Sequence, residues 1–137
     1  MLEPVKSRKK ALKPKKSVNQ RKKCEKAPSF SEMASYLQEK IGQNILAYLS
    51  GKHHPKTVNK WINKGANPSS VVKSRIREAY IATEIIMDAY DKEAVRMWFF
   101  GTNALLNGEA PAYVLCHGEN PDDWRLVVIA AKEFVSV

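Results

Sequence analysis

From Phe30 onward the apolar residues fall three and four positions apart. Met33, Tyr36, Leu37 and Ile41 share one face of a helix expected over about residues 30–41, and Ser29 with Glu32 makes a capping-box pattern at its start. Gly42 interrupts the pattern. Ile45, Leu46 and Leu49 then mark a short second helix that stops at Ser50-Gly51. Pro55 suits the first turn of a third helix, where its missing N–H costs nothing; Val58, Trp61 and Ile62 form that helix's apolar face and Gly65 ends it. A longer helix starts at Ser69 or Ser70, with Val72, Ile76, Ala79, Tyr80, Thr83, Ile86, Met87 and Tyr90 at a period of about 3.6. Asp91 caps a helix running through Trp98 and Phe99 to Gly101. Pro111 opens a short helix with Tyr113, Val114 and Leu115, stopped by Gly118. Pro121 starts the last, with Trp124, Val127, Val128, Ala131, Phe134 and Val135 inward or half-inward. No stretch alternates convincingly as a strand would. The expected fold class is all-α.

Charge divides the chain more sharply than hydropathy does. Residues 1–26 carry 11 Lys/Arg against Glu3 and Glu25, a net of +9. Residues 27–77 are net +6, and residues 78–137, with 4 Lys/Arg against 10 Asp/Glu, are net −6. The first stretch has runs such as Arg8-Lys9-Lys10 and Lys13-Pro14-Lys15-Lys16 and no apolar periodicity, so it reads as a disordered basic arm that adds non-specific attraction to phosphates. A basic front and an acidic back imply two surfaces with different partners. The expected division is an arm over 1–27, a DNA-binding helix-turn-helix over 28–68, a connecting helix over 69–90 and a C-terminal helical module over 91–137. No membrane-length apolar run occurs and the charged N-terminus lacks a following apolar stretch, so a cytoplasmic protein is expected. Cys24 and Cys116 lie far apart in different kinds of sequence, which fits reduced thiols better than a disulfide.

Gly42 to Gly65 has the proportions of a helix-turn-helix, with small Ala47 before the turn and Gly51 in it. Opposite the apolar face of the third helix stand Lys56, Asn59, Lys60 and Asn63, mutually one turn apart. Lysine satisfies guanine acceptors or phosphates, and asparagine pairs with adenine in the major groove. Thr57 is placed for a phosphate or a thymine methyl, and Lys52, His53, His54 and Lys64 border the face near the DNA backbone. From Lys52 to Arg77 there are seven Lys/Arg and no Asp/Glu, whereas a merely solvated face mixes signs. The competing reading is a helical hairpin that happens to be basic. His53 and His54 are adjacent, do not converge, and lack a Cys or acidic neighbour, so no metal site is expected.

The C-terminal stretch contains Trp98-Phe99-Phe100-Gly101-Thr102-Asn103, then Leu105-Leu106-Asn107-Gly108, then Pro111, Leu115 and Gly118. This order resembles the toxin-binding domain of Xre/MbcA/ParS-type antitoxins. Leu46-Ala47-Tyr48-Leu49-Ser50-Gly51, with Lys56-Thr57-Val58 and Trp61, similarly resembles the Xre-like half; the likeness covers about residues 30–136. It implies the antitoxin of a type II toxin–antitoxin system, which neutralises a protein toxin by direct binding and represses its own promoter through operator DNA. Toxins of the family include NAD-consuming and ADP-ribosylating enzymes. Trp98, Asn103 and Pro111 read as structural. Glu109, Glu119, Asp122 and Asp123, around the loops flanking the short helix, are the candidates for toxin binding, because a site for an anionic ligand can be occluded by an acidic surface.

Catalysis needs convergent titratable groups. Cys116 and His117 are adjacent and point apart on a helix, and no phosphate-binding glycine loop, nucleophile elbow or converging carboxylate pair occurs. The protein is therefore expected to be no enzyme and to need no cofactor. A bacterial, nucleoid-associated homodimer on a palindromic operator is expected, with the long helix and the Tyr90/Trp98/Phe99 region as one source of the dimer interface and core burial as the competing explanation. Two other function classes stay open: a solo regulator or protein–protein adaptor without a toxin, and an architectural nucleic-acid binder dominated by the basic arm.

Overall fold

A computed structural model describes residues 27–51 and 53–136. The basic arm expected over residues 1–26, and Lys52 expected at the edge of the DNA-binding face, lie outside the described residues. Among the described residues there are seven α-helices and no strand: α1 (Phe30–Ile41), α2 (Gln43–Leu49), α3 (Pro55–Asn63), α4 (Ser70–Met87), α5 (Lys92–Phe100), α6 (Pro111–His117) and α7 (Pro121–Ser136), with a single 3-10 turn at Ala104–Leu106. The all-α expectation holds.

Local signals set most of the boundaries. The Ser29 hydroxyl accepts from the Glu32 amide at 3.1 Å while the Glu32 carboxylate accepts from the Ser29 amide at 2.8 Å, a complete capping box. The Asp91 carboxylate accepts from the Ala94 amide at 3.0 Å and starts α5. Asn103 turns the chain after α5 by accepting from the Leu105 amide at 3.0 Å, which opens the 3-10 turn.

The core is one continuous cluster. Ala34, Leu37 and Ile41 of α1, Leu46 and Leu49 of α2, and Val58 and Trp61 of α3 meet Val72, Ile76, Ala79 and Ile86 of α4. α4 also lies along α7, which contributes Trp124, Val127, Ala130 and Ala131; this is the most extensive helix–helix contact. Small Ala79, Ala82, Ala130 and Ala131 let the two long helices approach closely. Each fully buried Leu or Ile, among them Leu37, Leu46, Leu49, Ile76 and Ile86, contributes about 1.5–3 kcal/mol relative to exposure.

For Trp98 and Phe99 the structure selects core burial over the dimer interface, while Tyr90 stays 45% exposed. Phe99 is fully buried and Trp98 only 7% exposed, so neither can supply a dimer interface. On α5, Val95, Trp98 and Phe99 stand at i, i+3 and i+4 and face inward, while Met97 and Phe100 point out at 69% and 52% exposure. Trp98 packs on Phe99 at 5.0 Å and reaches Phe134 of α7 at 6.4 Å between ring centres.

Arg75, on α4, ties two distant turns together. Its guanidinium donates through Nη1 to the Ser50 carbonyl at 3.2 Å, in the α2–α3 turn, and through Nη2 to the Gly118 carbonyl at 3.0 Å, in the α6–α7 turn. It also lies 5.4 Å from the Trp124 ring centre, and the Trp124 indole N–H donates to the same Gly118 carbonyl at 3.1 Å. Both turns need glycine for this. A Cβ on Gly51, whose φ is +121°, would sit 2.5 Å from Arg75 Nη1; one on Gly118 would sit 2.6 Å from the Val114 carbonyl oxygen and 3.1 Å from Asp123 Cβ. Gly118 thus ends α6 through close approach and not through a left-handed conformation, since its φ is −64°.

Candidate functional site

Two surfaces carry the chemistry, one on α3 and one where the 3-10 turn, α6 and α7 meet.

α3 is placed by its own first residues and by a locked turn. The His54 ring nitrogen Nδ1 accepts from the Lys56 amide at 3.1 Å, so His54 caps the helix ahead of Pro55. The Gln43 side-chain amide donates to the Pro55 carbonyl at 2.6 Å and fixes the start of α3 against the start of α2. Ser50, fully buried, donates its hydroxyl to the Ala47 carbonyl at 2.8 Å, and His53 Nδ1 lies 3.0 Å from that hydroxyl. A hydroxyl has one proton, so with it directed to Ala47 the His53 ring is the donor. The His53 ring also meets Trp61 edge-on at 5.3 Å, which makes it part of the turn's packing. His53 and His54 thus have separate structural tasks, and no group of three or more metal-ligating side chains occurs among the described residues.

Val58 and Trp61 are buried and Ile62 is half-buried, which turns Lys56, Asn59, Lys60, Asn63 and Lys64 out to solvent, with Thr57 half-buried at the edge. Asn63 donates its side-chain amide to Asn59, holding the two asparagines side by side one turn apart. Among the described residues no carboxylate lies within ion-pair distance of Lys56, Lys60 or Lys64. The longer basic run predicted through Arg77 is not one surface, however. Arg75 turns inward to the two carbonyls, and Arg77 pairs with Glu78 at 3.7 Å.

The second surface is a groove of about 440 Å³ lined by Leu105, Leu106, Asn107, Glu109, Tyr113, Val114, His117, Gly118, Asp123 and Leu126. Leu105, Tyr113 and Leu126 are 47%, 44% and 42% exposed. Tyr113 stacks on His117, with ring centres 4.0 Å apart, and His117 Nδ1 lies 3.2 Å from the Tyr113 carbonyl. The aromatic seam continues from His117 to Tyr48 and from Tyr48 to Phe100, each at 6.3 Å. Burial holds the Tyr48 hydroxyl above its usual pKa, with the neighbouring Cys116 and Tyr113 adding to the effect.

The four predicted acidic residues separate into different situations. Glu109 is exposed on the groove rim. Asp123 also lines the groove but is half-buried, and its carboxylate accepts from the Asn120 amide at 3.4 Å at the start of α7. Asp122 and Glu119 are exposed outside the lining, and Asp122 is paired with Arg125 at 2.8 Å. The sequence pattern names Leu105 and Tyr113 as part of a motif and a helix but not as surface candidates, and it does not single out Leu126. The available signal was that Leu126 and Ile129 fall off the inward stripe of α7 set by Trp124, Val127 and Ala131, leaving two large apolar side chains on a solvent face.

The fold defines a compact class of all-helical protein in which two short helices and a turn are clamped onto a long central helix. The same fold occurs in a chain from the crystal structure of the M. tuberculosis MbcT–MbcA toxin–antitoxin complex, with a TM-score of 0.59 and 20% identity over 81% of this chain and all of that one. No family model and no curated protein matches the sequence. Among the described residues no helix is long and apolar enough to cross a membrane.

Proposed function

We propose that this protein is the antitoxin of a type II toxin–antitoxin system, which binds operator DNA through α3 and a protein toxin through its C-terminal helices. The observation that carries the reading is the α3 surface. It gathers Lys56, Asn59, Lys60, Asn63 and Lys64, free of carboxylates, on a helix whose other face is locked into the core. A helix so placed has the geometry of a recognition helix in a helix-turn-helix, with α2 as the crossing helix. The fold shared with a chain of a toxin–antitoxin complex supports the partner half of the reading. Charge supports it as well, because residues 78–137 are net −6 and cannot share a polyanion partner with α3.

In this mechanism Lys56, Lys64 and His54 hold the phosphate backbone, while Asn59, Asn63 and Lys60 read base edges. A homodimer would present two such helices to a palindromic operator. The toxin, an NAD-consuming or ADP-ribosylating enzyme, would be occluded by the acidic, apolar-centred face that includes Glu109 and Asp123, with Glu119 and Asp122 at its margin. The protein itself acts by binding and performs no turnover.

The test is isolation of the tagged full-length protein from its native host at moderate salt, with bound protein and DNA identified. A stoichiometric small protein that arrests growth when expressed alone, together with enrichment of one promoter sequence, is the expected result. A promoter recovered without any protein partner would overturn the antitoxin reading in favour of a solo regulator. Equal recovery of all DNA sequences would overturn operator recognition.

A further inference from the structure

The groove between the 3-10 turn, α6 and α7 combines exposed apolar side chains with carboxylates. Leu105, Tyr113 and Leu126 expose large apolar surface in its lining, Glu109 and Asp123 stand beside them, and no Lys or Arg lines it. The sequence contains a segment with the complementary order. In residues 8–16, Ala11-Leu12 is flanked by Arg8-Lys9-Lys10 on one side and by Lys13, Lys15 and Lys16 on the other. We propose that this groove is a docking site for the chain's own residues 8–16, with Leu12 seated on Leu105, Tyr113 and Leu126 and the flanking cations on the carboxylates.

Reach permits it. Leu12 lies 15 residues before Ala27, and an extended chain spans about 3.3–3.6 Å per residue, so the segment reaches roughly 50 Å from the start of α1. A folded body of about 110 residues has a radius of gyration near 13 Å, so every part of its surface falls within that radius of action. Tethering also gives the segment an effective concentration that a free peptide lacks. The start of α1 sits beside α3, since Phe30 packs on Trp61 at 5.7 Å and Ser31 donates to the Ile62 carbonyl at 3.3 Å. The same cations are therefore tethered next to the α3 surface and can serve either the groove or a phosphate backbone, not both. The docking is argued from the groove and the segment alone, and it stands whether or not a toxin exists.

The test places a nitroxide at position 11 of the full-length chain (Ala11→Cys with Cys24→Ser; Cys116 is buried) and follows amide line broadening by NMR. Broadening of residues 105, 109, 113 and 126 by at least half is expected at low salt, and its loss with Glu109→Lys and with Leu12→Ser. Broadening confined to other surfaces, or none at low salt, would overturn the proposal. So would broadening seen only when labelled chains are mixed with separate isotope-enriched chains, which would make the occupant a second copy. The experiment contains no partner protein, so its failure leaves the antitoxin reading untouched, and failure to find a toxin leaves this contact untouched.

Discussion

Arg75→Met tests whether one side chain joins the α2–α3 turn to the α6–α7 turn. The substitution keeps an unbranched apolar stem and removes a guanidinium that donates to Ser50 at 3.2 Å and to Gly118 at 3.0 Å and lies against Trp124. A hydrogen bond from a charged donor contributes about 1.5–3 kcal/mol, and the ring contact about 1 kcal/mol more. Against these stands the burial of Nε without an acceptor, which costs about 1–3 kcal/mol and disappears in the variant. The net expected loss is about 3 kcal/mol, read as a lower urea midpoint with unchanged slope in circular dichroism. In a domain of this size that lowers Tm by roughly 10–20 °C. A double-mutant cycle with Gly51→Ala sharpens the test. In the parent, an added Cβ meets Nη1 at 2.5 Å and inherits φ of +121°; in Arg75→Met the clash is relieved and only the backbone strain remains. The two losses should therefore fall short of additivity by about 1 kcal/mol or more. A loss below about 1 kcal/mol for Arg75→Met, or strict additivity, would refute the clamp.

Gly118→Ala should cost about 2 kcal/mol in the same assay, because the new methyl meets the Val114 backbone carbonyl at 2.6 Å and backbone cannot swing away; a neutral result would mean the α6–α7 turn is slack. Ser29→Ala removes half of the capping box and should cost about 1 kcal/mol, with helix loss confined to the start of α1. If Lys60 contacts a phosphate, Lys60→Ala weakens binding to all duplexes alike and lowers the salt slope by about 0.9; if it reads a base, the slope stays and sequence preference relaxes. Alkaline titration should reveal Tyr36 and Tyr80, both held above the ordinary value of 10.0 chiefly by burial, with Glu84 as a further cause at each. The folded state binds these protons more tightly than the unfolded one, so the stabilisation is complete below pH 10 and is lost as pH rises past it. Tyr36→Phe should flatten that decline, and an unchanged pH profile of the urea midpoint would contradict the assignment.

How much of this was legible in the sequence follows from which signals are local. Ser29 with Glu32, Pro55, Asp91, Pro111 and Pro121 each act within one helical turn, so the sequence locates helix starts that the fold reproduces. The outward face of α3 was legible for the same reason: Val58, Trp61 and Ile62 fix the inward side, and Lys56, Asn59, Lys60 and Asn63 can only stand opposite. The longer helix ran past its true end at Met87, because Tyr90 continues the apolar period while packing on Phe134 from outside the helix.

What the sequence determined by itself, then, is the all-helical composition, the order and starts of the helices, and the separation of a basic front from an acidic back. These depend on periodicity, caps and counted charge, all of which are properties of neighbouring residues. Only the tertiary structure decided that Arg75 is a clamp and not one more cation of a basic face, that Gly51 and Gly118 are required by what approaches them, and that Trp98 and Phe99 are core. It alone brought Leu105, Tyr113 and Leu126 to one groove beside Glu109 and Asp123. Those facts depend on which helices meet, and that is settled by packing between residues as far apart as Ser50 and Gly118, whose shared partner no local pattern reveals.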